Sequence, residues 1–156
     1  MSAADQIRVP TVPVEAVILL ADGARQEVCV FLANASPFHE GPETLDEFLN
    51  SARPFLPARA ADGRAHLIGT HGILTVSVDP KVPMLSRLPG RVVSTIDFVT
   101  LHLRDGSRLE GTLLANLPSD LARVSDAFNA EGAFIPIETG GRVSYVQKTY
   151  IAWIEF

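Results

Sequence analysis

The chain has 156 residues, 47% of them hydrophobic, which is enough for one ordinary domain or two very small ones. Its formal net charge is −5 and its 13 lysines and arginines are scattered, so the composition disfavours a protein that grips nucleic-acid phosphates. No stretch of about 18 apolar residues predicts a membrane-spanning helix, and a single cysteine without a signal-peptide pattern leads us to expect a cytoplasmic protein.

The first predicted element follows a flexible tail, which we place at residues 1–12. In the stretch AVILLADGARQEVCVF, residues 16–31, Asp22-Gly23 lies between two apolar runs. An Asp-Gly pair in this setting is a strong hairpin signal, because the turn needs a positive φ that glycine adopts at little cost. The sequence therefore predicts two antiparallel strands at the start of the fold.

A short helix and three short strands are predicted after this hairpin. The stretch from Thr44 to Glu47 fits a capping box, in which the two side chains bond the free amides at the start of a helix. Phe55-Leu56-Pro57 begins a strand that the proline restricts to a sheet edge. Two more strands follow around the Asp62-Gly63 turn. These elements complete a first unit at residues 13–79.

A connector rich in proline follows at residues 80–95. It contains Pro80, Pro83, Pro89 and Gly90, which argue against a regular element and for a semi-rigid linker.

Residues 96–156 then repeat the first unit. The stretch VTLHLRDGSRLEGTLL, residues 99–114, places Asp105-Gly106 on Asp22-Gly23. Later matches keep their order with only small gaps, and pair Asn50, Phe55, Arg64, Leu67, Ile68 and Ile73 with Asn129, Phe134, Arg142, Tyr145, Val146 and Ile151. We therefore predict an internal duplication, with the order strand, strand, helix, strand, strand, strand in each unit.

The opening of each unit resembles the Sm-like fold. VTLHLRDGSRLEG carries Gly111 where that family has the glycine that lets the second strand bend. VSYVQKTYIAWIEF is similar to the family's last two strands, and the recurring helix and F-[LI]-P segments look like an uncharacterised bacterial small-barrel family. The resemblance implies a mainly β protein of two tandem Sm-like five-stranded small barrels, each with one short helix inserted after the first hairpin.

The binding properties of the Sm family do not transfer with the fold. Its RNA-contacting loop is replaced here by a helix, and its Arg-Gly pair is absent from the final turns. Arg87 and Arg91, followed by Asp105-Gly106-Ser107, resemble the cyclic di-GMP motif of PilZ domains, although Gly111 falls one residue late and a hairpin already explains the Asp-Gly pair. A nucleic-acid or nucleotide-binding module, with cyclic di-GMP the less favoured ligand, is therefore the alternative function.

No residue pattern predicts catalysis, a metal or a cofactor. His39, Glu40 and Glu43 share one loop, and His66 lies near His71, but neither spacing matches a zinc motif. No nucleophile elbow or glycine-rich oxyanion turn occurs. We expect neither enzymatic activity nor a bound cofactor.

The outer face of the first strand is where the two units differ most. In the first unit it is apolar at Val17, Leu19 and Ala21, where the second unit carries polar side chains. Such a face needs a cover, which is the linker, the second unit or another chain. Phe38, apolar in a polar loop, is a further candidate anchor. We expect a non-enzymatic scaffold or adaptor that uses these four residues to bind a protein partner or a second copy of itself.

Overall fold

The computed structural model describes residues 11–82, 98–114 and 124–156. The predicted tail lies outside these ranges except for Thr11 and Val12, which belong to the first strand. Most of the predicted linker, including Arg87 and Arg91, also lies outside the described residues, as does the start of the second predicted unit.

The described residues form ten strands and two short α-helices. In chain order they are β1 (Thr11–Leu20), β2 (Arg25–Ala33), α1 (Leu45–Leu49), β3 (Phe55–Ala60), β4 (Ala65–Gly69), β5 (Ile73–Val78), β6 (Phe98–Leu103), β7 (Arg108–Leu113), α2 (Val124–Asn129), β8 (Phe134–Thr139), β9 (Arg142–Gln147) and β10 (Ile151–Glu155). Single 3-10 turns occur at Thr70–Gly72 and Lys148–Tyr150, and no helix of the described residues is long and apolar enough to cross a membrane.

All ten strands belong to one antiparallel sheet with the order β10-β6-β7-β8-β9-β5-β1-β2-β3-β4. The prediction of a mainly β protein is confirmed. Each half of the sheet has the same internal order, in which the fifth strand lies beside the first and the second, third and fourth follow. Because the two halves share one open sheet, the finer prediction of two Sm-like barrels stays a prediction.

The two Asp-Gly hairpins are confirmed, and their hydrogen bonds match. The Leu20 amide donates to the Ala24 carbonyl at 2.8 Å, and the Leu103 amide donates to the Ser107 carbonyl at 2.9 Å. Gly23 and Gly106 take φ values of 92° and 87°, in the left-handed region that favours glycine. The same turn chemistry therefore starts both halves.

The described residues form two hydrophobic cores, and each contains residues from both halves. The first consists mainly of side chains from β1 to β5 and α1, but includes Phe134, Val143 and Tyr145 from β8 and β9. The second consists mainly of side chains from β6 to β10 and α2, but includes Leu74 from β5. The cores therefore interlock where β5 pairs with β9.

Candidate functional site

The structure places Val17 and Leu19 inside the sheet. Both are half-buried on β1, which lies between β2 and β5. Leu19 packs against the second hydrophobic core. This core is built mainly from side chains of the second half.

Ala21 and Phe38 are exposed, but at opposite ends of the β1–β2 hairpin. Ala21 lies in the turn, where its amide donates to the Gly72 carbonyl at 2.8 Å. Phe38 lies in the loop beyond the far end of β2. With strands nine or ten residues long, the two ends are about 30 Å apart. The structure therefore does not bring the four predicted interface residues together in one patch.

The Phe38 loop is tied down by α1. Glu47 accepts hydrogen bonds from the Ser36 hydroxyl at 2.8 Å and from the His39 ring. Burial raises the pKa of the Glu47 carboxyl, but these bonds together outweigh burial and hold the pKa below its usual value. Half of the predicted capping box forms, with the Glu47 amide donating to the Thr44 hydroxyl at 3.2 Å. The Glu47 carboxylate bonds Ser36 and His39 of the loop instead of completing the capping box.

The pairing of β5 with β9, which we call the central joint, connects the two halves. Its register sets Thr75 opposite Val146 and Ser77 opposite Ser144. Arg142 donates from Nε to the Ser77 hydroxyl at 2.8 Å and from its terminal nitrogen to the Ser77 carbonyl at 3.1 Å. Side-chain bonds thus reinforce the ladder.

Side chains from β8 and β9 are buried across this joint. Phe134 and Tyr145 are 3% and 2% exposed and belong to the first core. The Phe134 amide donates to the Asn50 Oδ1 atom at 2.9 Å. Burial raises the pKa of the Tyr145 phenol, and the Asp46 carboxylate raises it further. β8 and β9, the third and fourth strands of the second half, therefore contribute side chains to the core of the first half.

The outer sides of β4 and β10, which we call the free edges, pair with no other strand within the described ranges. On the β4 side, Phe55 is 56% exposed and Leu67 is 72% exposed. Their counterparts in the repeat are Phe134 and Tyr145, which are buried. The repeat pairs Phe55 with Phe134 and so predicts that both are buried. This prediction is wrong for Phe55, because β5 covers β9 and no described strand covers β4.

The β10 free edge is also apolar. Trp153 is 54% exposed and Phe156, just after the strand, is 82% exposed. The His102 ring stacks on the Trp153 ring, with centroids 3.6 Å apart, and also bonds the Glu155 carboxylate at 2.6 Å. Trp153 is thus held in place with one side open to solvent.

A cleft of about 600 Å³ lies beside the β4 free edge. Its lining includes Leu67 and three polar side chains, Asp22, Gln26 and His66. His66 and Gln26 are hydrogen-bonded to each other at 3.2 Å. No group of three or more potential metal ligands exists among the described residues. The cleft therefore places polar side chains next to the exposed apolar residues of the β4 free edge.

Sequence reasoning missed the free edges because each strand there resembles a buried strand of the other half. Which of two matching strands is buried depends on the order of the strands in the sheet. That order cannot be read from the sequence. Comparison with family models, curated proteins and solved structures found no match. Function is therefore inferred from the geometry of the sheet and its edges.

Proposed function

We propose that the protein is a non-enzymatic interaction module, a scaffold or adaptor that binds protein partners by strand addition at its β4 free edge. The observation that carries this proposal is the exposure of Phe55 and Leu67 at positions whose counterparts, Phe134 and Tyr145, are buried in the first core, where β9 pairs with β5. In the second half, the edge equivalent to that of β4 belongs to β9, which pairs with the strand β5. A strand from a partner could pair with β4 in the same way.

The edge supplies both kinds of interaction that strand addition needs. The outer backbone groups of β4 form no ladder with a described strand, and an unpaired strand edge is what strand addition requires. Burying a leucine or phenylalanine side chain contributes about 1.5–3 kcal/mol each. Two such residues beside an open ladder make this edge a stronger candidate than the isolated Phe38.

The same proposal includes the finer fold statement, that the halves are two copies of one Sm-like unit. Supporting it are the repeated strand order and the matched turn bonds. The amides of Ala21 and Arg104 also make equivalent bonds, to the carbonyls of Gly72 at 2.8 Å and of Tyr150 at 2.9 Å.

Site-specific photo-crosslinking in the native host tests the interaction module. A photoreactive phenylalanine analogue replaces Leu67, and the same analogue at Ser125, exposed on α2, serves as the matched control. We expect a protein adduct from position 67 that is absent from position 125. Equal labelling at both positions, or none at either, would contradict a binding function for this edge.

A further inference from the structure

We infer that the cleft beside the β4 free edge is a binding site for a basic side chain, a lysine or an arginine, of the protein strand that adds to β4. The inference rests on the proposed function, because the same edge pairs with the partner. It names the chemistry of that partner, which is an extended segment with a basic residue among apolar residues.

The cleft is lined by small residues where the second half of the chain has long side chains. The small residues are Ala21, Gly69 and Gly72, and their counterparts in the repeat are Arg104, Gln147 and Tyr150. The backbone is equivalent at these places, because the Ala21 amide donates to the Gly72 carbonyl just as the Arg104 amide donates to the Tyr150 carbonyl. The first half therefore has open space at three positions that carry large side chains in the second half.

Neither glycine is required by the fold. Gly69 takes a φ of −61°, which any residue adopts, and a Cβ atom there would lie 3.7 Å from the Phe55 ring, an ordinary contact. A Cβ atom at Gly72 would meet no atom within 4 Å, and the φ of Gly72 is outside the left-handed region. The two missing side chains therefore serve neither backbone conformation nor local packing, and their structural effect is to keep the cleft open.

The counterparts of the two glycines hold a neighbouring segment in place. The Gln147 Nε2 atom donates to the carbonyls of Thr70 at 2.9 Å and Ile73 at 2.6 Å. The Tyr150 hydroxyl donates to the His71 carbonyl. In the central joint, long side chains thus connect β9 and the turn after it to the segment beside them. At the β4 free edge the glycines provide no such side chain, so an added strand has to supply it.

The polar groups of the cleft are mainly acceptors. The Asp22 Oδ1 atom accepts the Ala24 amide at 2.8 Å, and its Oδ2 atom bonds no described residue. The His66 Nδ1 atom donates to the Gln26 side-chain oxygen at 3.2 Å, which leaves the Nε2 atom of a neutral ring as an acceptor. The described residues that line the cleft include no lysine or arginine. A cation is therefore the ligand group that this cleft favours.

The apolar part of the cleft fits the stem of a basic side chain. Leu20 and Leu67 line it together with Asp22. Lysine and arginine have an apolar stem and a charged end, so the stem packs on the leucines while the cation reaches the carboxylate. The volume of about 600 Å³ is within the range of about 300–1,000 Å³ that is usual for ligand sites. It accommodates such a side chain together with its neighbours on the strand.

The repeat indicates the same charge. Arg104 directly precedes Asp105, the counterpart of Asp22. In the first half Ala21 stands in the place of the arginine. The first half therefore keeps the turn carboxylate and lacks the cation beside it, and the partner strand supplies that cation.

Selection of random seven-residue peptides displayed on phage, with the purified full chain as the target, tests the inference. We expect the bound peptides to be enriched in lysine or arginine at one position, with apolar residues two positions to either side, because these side chains share one face of a strand. Bound peptides without a basic position, or no bound peptide, would overturn the inference.

Removing the charge of the cleft gives the first variant. Asp22→Asn keeps the Oδ1 acceptor for the Ala24 amide, and we expect the affinity for the selected peptide, measured by fluorescence anisotropy, to fall by at least about threefold. Asp62→Asn is the matched control, because Asp62 accepts the Arg64 amide at 2.9 Å in an equivalent turn and lies outside the cleft lining. An equal loss in both variants would mean a general charge effect and would overturn the inference.

Filling the cleft gives the second variant. Gly72→Tyr introduces the side chain of the counterpart position, and we expect it to weaken peptide binding by at least about tenfold. The space around Gly72 leads us to expect an unchanged melting temperature. If this variant melts at a lower temperature than the wild type, Gly69→Gln fills the cleft from the other glycine. Unchanged affinity in both variants would contradict binding in the cleft.

Two measurements distinguish a partner strand from other occupants. n-Butylammonium is the lysine side chain without its backbone, and its affinity is measured by nuclear magnetic resonance titration. If it binds as tightly as the selected peptide, the site takes a small amine and the inference is wrong. Self-association of the purified chain that Gly72→Tyr abolishes would make a second copy the occupant, and it would also overturn the inference.

Failure of this inference is distinguishable from failure of the proposed function. A protein adduct at residue 67, together with selected peptides that lack a basic position, would overturn the basic-side-chain site and leave the interaction module standing. No adduct at residue 67 would remove the proposed function, even where the purified chain selects basic peptides.

Discussion

At the scale of single residues, Gly111 shows how an absent side chain fixes the distance between two strands. A Cβ atom at this position of β7 would lie 2.3 Å from the Glu138 carbonyl oxygen and 2.7 Å from the Ile137 Cγ2 atom, both on β8. Neither contact is possible for a real side chain, so β7 and β8 approach as they do only because residue 111 is glycine. The sequence singled out this glycine, but as a bend and not as a point of close approach.

Replacing this glycine should be costly. Gly111→Ala forces β8 away from β7, and we expect the free energy of unfolding to fall by about 1–3 kcal/mol or more. Urea unfolding followed by circular dichroism measures the change. Gly72→Ala is the matched control, because a Cβ at Gly72 meets no atom within 4 Å and its φ is not in the left-handed region. Equal stability of the two variants would contradict the steric explanation.

At the scale of elements, β3 and β8 show that one sequence pattern gives two environments. Both strands begin with Phe, Leu or Ile, and Pro, so the sequence predicts the same burial for Phe55 and Phe134. The structure buries Phe134 beneath the first half and exposes Phe55, because only β8 and β9 lie beside the central joint. Whether this phenylalanine is buried depends on which strand pairs with the outer edge of its unit. The local sequence pattern does not encode that pairing.

This asymmetry predicts different costs for the same truncation. Phe134→Ala should lower the free energy of unfolding by about 3–5 kcal/mol, as expected for a buried aromatic side chain. Phe55→Ala should cost less than about 1 kcal/mol in the monomer, because more than half of its surface is already exposed. Urea titrations at low protein concentration measure both. Equal losses would mean that the two strands share one environment after all.

The elements themselves were more predictable than their arrangement. Asp22-Gly23 and Asp105-Gly106 set the hairpins, and Thr44 sets the start of α1, because each acts on neighbouring backbone groups. The central joint pairs residues far apart in the chain, and its strands carry the same alternation as any other half-buried strand. The packing of Leu19 against the second core depends on such long-range pairing, so the sequence of β1 alone did not predict it.

At the scale of the whole molecule, the interlocked cores make the two halves one cooperative structure. Phe134 and Tyr145 stabilise the first core, and Leu74 stabilises the second. Gln147 adds a polar connection, because its buried Nε2 atom donates to the carbonyls of Thr70 at 2.9 Å and Ile73 at 2.6 Å. Neither half can unfold without exposing core residues of the other.

The chain should therefore unfold in a single transition. Trp153, the only tryptophan, reports on the second half through its fluorescence, whereas circular dichroism reports on all ten strands. We expect both probes to give the same midpoint in urea. Gln147→Leu removes the side-chain donor of the Thr70 and Ile73 carbonyls, of which the Thr70 carbonyl keeps a bond from the Ile73 amide, and should cost about 1–3 kcal/mol. Because the lost bonds lie between the halves, both probes should shift together to a lower midpoint. A fluorescence transition that separates from the circular dichroism transition, in the wild type or the variant, would show that the halves unfold independently.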